Sequence, residues 1–263
     1  MNILFIGDVV GKPGRQAVAG LVPKLKRERH IDFVIANGEN SAHGAGLTTA
    51  TVGELLAAGV DVITAGDHTW DQKGFELEID NQPRVIRPLN YAPKAPGRGS
   101  VILTVEEKFS VGVVNAMGRV FMPVNDCPFR AVQAEVTKMR RQTNVIIVDF
   151  HGEATSEKIA MGRFLDGQVS AVLGTHTHVQ TADEQVLPKG TAYISDVGMC
   201  GPHDSVLGRD VDAVIRRFVS GMPQKLEVAA GKIELCAVLI DINEDSGHAR
   251  SIERLRVPFT APA

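Results

Sequence analysis

Cysteine is scarce in this 263-residue chain. Cys127, Cys200 and Cys236 are an odd number with no C-x-x-C spacing, so they fit reduced thiols in a cytosol rather than a disulfide framework. Aromatic residues make up only 5% of the chain, and no stacking platform for a base or a single strand stands out; Trp70 and Tyr91 read as packed side chains. Charge of one sign is lacking too. A net charge of −3 offers no field for wrapping duplex nucleic acid. No apolar run approaches the ~20 residues of a membrane helix, which argues against a membrane partner. The opening MNILFIGDVV has no basic segment and soon meets Asp8, so it reads as a strand and not as a signal peptide. A cytoplasmic location is the expectation. Linkers rich in Gly or Ser, repeats and charge blocks are all missing, which predicts one domain over residues 1–263. At 44% apolar and 22% charged residues the chain is not disordered. A core of this size needs no disulfide or structural zinc.

What is present is a rhythm of short apolar runs bounded by Gly, Asn or Asp. They are Ile3–Ile6, Phe33–Ala36, Val60–Ala65, Val111–Asn115, Val145–Phe150, Val169–Gly174 and Ala192–Ser195. Most are continuously apolar, as strands buried on both faces are. Helical patterns are predicted over Gln16–Arg29, Thr48–Ala58 (with a Thr-Thr capping signal), Cys127–Arg141 and Asp210–Ser220. The alternation predicts an α/β fold, a layered β-sheet core flanked by helices. The proline-rich Pro83–Gly99 reads as an ordered loop or edge. Ile233–Asn243 and Leu255–Phe259 suit antiparallel edge strands.

The informative residues follow the strands. Successive runs end in Gly7-Asp8, Asn37-Gly38-Glu39-Asn40, Gly66-Asp67-His68, His151-Gly152 and Gly174-Thr175-His176-Thr177-His178. Ligands of open α/β sheets bind beyond the carboxyl ends of the strands. Each residue taken alone has a bland reading, as a cap, a turn or a buried histidine. Five strand ends delivering Asp, Glu, Asn or His to one rim point instead to a metal centre, which needs such donors and offsets their burial. His176 and His178 alternate along an extended segment, so both rings reach one side. His30 and His248 read as solvated, and His43 and His203 as loop residues. Gly7–Pro13 is not a phosphate-binding P-loop, since Pro13 stands where a Ser or Thr should bind magnesium. Gly7, Gly11 and Gly14 also miss the dinucleotide spacing. Lys12 and Arg15, near a helix N-terminus, can still hold an anionic phosphate.

These motifs resemble the calcineurin-like metallophosphoesterases. The segments GDVVGKPGR, ANGENSAHGAGLT, ITAGDHTWDQK, RPLNY, DFHGEATSEK and LGTHTHVQTADEQVLPKGTAYISDVGM are similar to its YmdB-like branch of 2′,3′-cyclic-nucleotide 2′-phosphodiesterases. Relative to the wider superfamily, the usual D-x-H has become Asp8-Val9-Val10, the bridging Asp is Glu39, and the frequent Asn of G-N-H is Asp67. The resemblance implies a calcineurin-like metallophosphoesterase fold and two divalent or trivalent transition-metal ions, iron with manganese as the alternative. Asp8, Glu39, Asn40 and His178 would hold one ion. Glu39, Asp67, His151 and His176 would hold the other. It further implies in-line attack by a metal-activated hydroxide on a small cyclic nucleotide or other phosphodiester, with His68 as general acid. A homo-oligomer is left open. Two rivals stand beside this reading. An amidohydrolase would open with H-x-H on its first strand, whereas here that pair comes late. A nucleotide-sensing regulatory protein with little turnover could keep every ligand.

Overall fold

The computed structural model of the protein describes residues 1–105 and 109–260. Its strands and helices run β1 (Asn2–Ile6), β2 (Asp8–Val9), α1 (Gly11–Glu28), β3 (Phe33–Asn37), α2 (Thr49–Ala57), β4 (Val62–Thr64), α3 (Phe75–Glu78) and β5 (Val85–Ile86). The chain continues through β6 (Ser100–Val105), β7 (Phe109–Met117), α4 (Pro128–Met139), β8 (Val145–His151), α5 (Thr155–Leu165), β9 (Ala171–Thr175) and β10 (Gln185–Val186). It closes with β11 (Ala192–Ile194), β12 (Met199–Pro202), α6 (Val211–Ser220), β13 (Ile233–Ile242) and β14 (Ala249–Phe259). Two sheets form. The first runs β2-β12-β13-β1-β3-β4-β5, with β14 also paired to β13. The second runs β10-β11-β9-β8-β7-β6.

Period-two burial builds the layers. On β1, Ile3 and Phe5 enter a core shared by the two sheets, where they meet Ile35 of β3, Val113 of β7 and Ile147 of β8. Leu4 and Ile6 point the other way, onto Val18 and Val22 of α1 and Leu55 of α2. A third cluster packs Val132 and Val136 of α4 and Met161 and Leu165 of α5 on the outer face of the second sheet. The fold is therefore α/β with two stacked sheets between helix layers, as the strand–helix rhythm predicts. Burying a side chain such as Phe5 or Ile35 contributes about 1.5–3 kcal/mol relative to exposure.

Several expectations need correction in detail. Helix α1 starts at Gly11 rather than Gln16. Pro13 does not stop it, because an N–H in the first turn has no intrahelical partner to lose. The Ile233–Asn243 run is no edge. As β13 it is antiparallel to β1 and β12 and to β14, and it is buried along most of its length. Helix α5 goes unseen in the apolar pattern because its inward face carries the buried polar residues Glu157 and Lys158. The Thr48 cap is reciprocal: Thr51 N–H donates to the Thr48 hydroxyl oxygen, and Thr48 N–H donates to the Thr51 hydroxyl oxygen. Among the described residues no helix is long and apolar enough to cross a membrane.

Candidate metal centre

The parallel pairing of β1, β3 and β4, and of β7, β8, β9 and β11, sends all these carboxyl ends toward one rim. Glu39, Asp67, His151 and His176 converge there, each offering a ligand atom within 4.8 Å of the others. His151 Nε2 lies 2.9 Å from Asp67 Oδ1 and 3.1 Å from Glu39 Oε1. His176 Nδ1 lies 3.0 Å from His151 Nε2 and 3.3 Å from Asp67 Oδ1. Asp8, Asn40 and His178 form an adjoining group. His178 Nε2 is 3.6 Å from Asp8 Oδ1 and 3.2 Å from Asn40 Nδ2. Asn40 Nδ2 is also 3.2 Å from Glu39 Oε1, so Glu39 stands between the groups. A half-turn of the Asn40 amide would present its oxygen to the same space. A Cβ added at Gly66 would fall 2.2 Å from Glu39 Oε2 and 2.4 Å from His151 Nε2. Only glycine leaves that hollow open.

The far nitrogen of each imidazole is tied back. Thr175 Oγ1 donates to Asp149 Oδ1 at 2.7 Å, so its hydroxyl can only accept the bond from His151 Nδ1–H at 2.9 Å. His178 Nδ1–H donates to the Leu207 carbonyl at 3.1 Å. His176 Nε2 meets Glu153 Oε2 at 3.3 Å. These partners orient the rings and aim His151 Nε2, His176 Nδ1 and His178 Nε2 inward. His151 Nε2 and His176 Nδ1 then face each other at 3.0 Å, beside two carboxylates. Such an arrangement repels unless a proton or a cation stands between them. A mixed nitrogen and oxygen donor set without thiolate fits first-row transition ions.

The charges follow this geometry. Burial alone would raise the Asp8 carboxyl, but the facing His178 and His151 rings hold it well below the usual carboxylate range. Burial works on Asp67 in the same sense and is outweighed by hydrogen bonds from His151 and His176. Burial would lower His151, yet Glu39 and Asp67 raise it well above the usual imidazole value. His178 is raised in the same way by Asp8. One floor below, Asn37, Thr64, Asp149 and Thr175 continue the faces between the sheets as a buried polar layer. Burial there pushes the Asp149 carboxyl up to about 7, against the pull of His151, Thr64 and Thr175.

His68 stands apart from the four-residue cluster. Its backbone N–H donates to Glu39 Oε2 at 3.1 Å. Its ring is 38% exposed, with Nδ1 on Asp71 Oδ2 at 2.7 Å and Nε2 4.0 Å from Asp67 Oδ2. Lys12 is exposed in the first turn of α1, where the Gly11 N–H donates to the Asn40 carbonyl at 2.9 Å. Arg15 turns to Glu54, at 2.6 Å, and to the Ser41 carbonyl. Sequence reasoning missed Glu153, Asp149, Thr175 and Asp196. Asp196 had a usable signal, since it too follows an apolar strand, β11. The others speak only through tertiary contacts.

The family described as YmdB-like protein matches residues 4–255. A 2′,3′-cyclic-nucleotide 2′-phosphodiesterase of Bacillus subtilis (strain 168) is 48% identical over 257 residues, covering 98% of this chain and 97% of its own. Among solved structures, a hypothetical protein of Thermus thermophilus superposes with a TM-score of 0.92 at 41% identity, covering 98% of this chain and 99% of its own. A novel phosphatase of Mycoplasma pneumoniae superposes at 0.91 with 37% identity, covering 98% and 93%.

Proposed function

The chain belongs to the YmdB-like protein family, and from that premise we propose that it is a dinuclear metal-dependent phosphodiesterase of calcineurin-like fold that opens 2′,3′-cyclic nucleotides. The observation that carries this reading is the convergence of His151 Nε2 and His176 Nδ1, 3.0 Å apart and walled by Glu39 and Asp67. Asp8, Glu39, Asn40 and His178 are the residues that would hold one ion. Glu39, Asp67, His151 and His176 would hold the second, with Glu39 shared. Iron is the preferred metal and manganese the alternative. Bound cations would make water acidic enough to supply a nucleophile at neutral pH and would neutralise phosphoryl charge.

The chain's own groups do the rest. Asp71 accepts the His68 Nδ1–H bond, so a protonated His68 keeps Nε2–H free to give its proton to the departing ribose oxygen. Lys12 draws the phosphodiester anion toward the rim, beside the first turn of α1. Arg15 acts on substrate only through the loop it braces at Ser41. The deciding experiment measures turnover of 2′,3′-cyclic AMP and bis-p-nitrophenyl phosphate together with metal content. Hydrolysis of both by protein carrying two ions per chain, abolished by a chelator, is expected. Metal-free protein with undiminished turnover would overturn the reading.

A further inference from the structure

Beneath the His176-Thr177-His178 turn lies a buried charge pair that the proposed chemistry does not use. Lys158 Nζ, from α5, reaches Asp196 Oδ2 at 2.7 Å, with side chains only 3% and 1% exposed. The same Oδ2 accepts from the Thr177 N–H at 3.0 Å and the Thr177 hydroxyl at 2.7 Å. Oδ1 accepts from the Gly198 N–H at 2.8 Å. Asp196 is thus saturated, and two of its bonds end on the residue between the two histidines.

That turn is one the backbone resists. His176 has φ 97° and His178 φ 65°, in the left-handed region that favours glycine. Non-glycine residues persist there only when their surroundings over-determine them. The surroundings here are built closely. A Cβ at Gly174 would lie 1.8 Å from the Ser195 carbonyl oxygen and 3.0 Å from Lys158 Cδ, so only glycine lets β11 and the lysine come this near. Apolar residues of similar volume would often serve stability as well as a buried ion pair. A carboxylate is needed because Thr177 presents two donors, and the ammonium balances its charge.

We propose that Lys158 and Asp196 are positioning residues: through Thr177 they lock the left-handed turn that turns His176 and His178 toward the space where metal would be held. The proposal rests on the metal reading above. The test compares Thr177→Val with Thr177→Ser. The first keeps the shape and removes the hydroxyl; the second keeps the hydroxyl. Affinity for Mn²⁺ is measured by competition with a chelator, beside the thermal midpoint of the metal-free protein. Thr177→Val should bind Mn²⁺ roughly 10–100-fold more weakly and Thr177→Ser close to the parent, while the metal-free midpoint of Thr177→Val should drop only by what one lost hydrogen bond to Asp196 costs. Lys158→Met, assayed in its folded fraction, should weaken Mn²⁺ binding in the same direction. Thr177→Val and folded Lys158→Met that both bind as tightly as the parent would overturn the clamp while leaving the metal reading intact. A parent protein that takes up no Mn²⁺ would sink the metal reading and the clamp with it.

Discussion

The two sheets bring unlike halves to one rim. Strand ends of the first sheet carry Asp8, Glu39, Asn40 and Asp67, all oxygen donors or an amide. Those of the second carry His151, His176 and His178, all imidazoles. The halves are also held differently. The carboxylates accept backbone N–H groups: the His68 N–H reaches Glu39 Oε2 at 3.1 Å and the His176 N–H reaches Asp8 Oδ2 at 3.1 Å. The histidines depend on partners far along the chain: Thr175 and Asp149, Glu153, Asp196 and Lys158, and the Leu207 carbonyl. The chemistry of the donors explains this. An ionised carboxylate has two equivalent oxygens and no proton to place. An imidazole must present one chosen nitrogen, in one plane, and needs an acceptor behind it to do so.

Glu39 is where the halves join, so the largest effect is expected there. Glu39→Gln should cut turnover of 2′,3′-cyclic AMP by roughly 10³-fold or more and lower metal content below two ions per chain. Elemental analysis beside an activity assay reads both. Two retained ions with normal turnover would mean that the halves bind metal independently.

His68 belongs to the first half by sequence yet hydrogen-bonds the cluster only through its backbone, its ring standing 4.0 Å from Asp67. His68→Ala should slow the ribose cyclic phosphate by roughly 10²–10⁴-fold with metal content unchanged. A p-nitrophenolate leaving group needs no proton, so bis-p-nitrophenyl phosphate should be affected much less. Equal losses on both substrates would move His68 from proton donor to phosphate or metal positioning.

The support of the second half is tested at Thr175. Thr175→Val keeps the strand and the volume but removes the acceptor that fixes His151 Nδ1–H. Metal affinity should fall roughly 10–100-fold. A valine variant with unchanged affinity in chelator competition would show that packing alone orients the ring.

The same asymmetry explains what could be read from the sequence. The strands, the layered α/β class and the motif residues at the rim follow from apolar runs that end in polar side chains. Convergence of Glu39, Asp67, His151 and His176 was legible because parallel strands share one carboxyl end. Lys158 was hidden in α5, whose polar inward face blurs helical periodicity. Asp149 sits inside a strand and reads like any break in an apolar run. The central place of β13 was missed because a late run gives no sign of which strand it will join. Arg15, which its place near a helix N-terminus marks as a phosphate binder, also meets Glu54 and the Ser41 carbonyl, partners that its local sequence does not announce.

The smallest expected effect is a dependence on pH that separates protein with and without metal. His151 and His178 are raised above 6.5 by their carboxylate neighbours. In metal-free protein their stabilisation is complete below pH 6.5 and fades as pH rises through the raised values. Asp8 and Asp67 are depressed below 3.8, so theirs is complete above pH 3.8 and fades as pH falls through the depressed values. Asp149, raised from 3.8 to about 7, acts in the opposite sense: its cost is absent below pH 3.8, grows with pH and is complete by about 7. Metal-free protein should therefore be most stable near pH 4, lose stability towards pH 7 as the Asp149 cost grows, and lose more on the alkaline side as the histidines give up their protons. Metal uptake must displace the protons on His151 and His178, so affinity should rise with pH and uptake should acidify an unbuffered solution. Thermal midpoints measured with and without Mn²⁺ should move apart from pH 6 to pH 8. A gap that stays constant across that range, with no proton released on Mn²⁺ uptake, would remove these histidines from the ligand set.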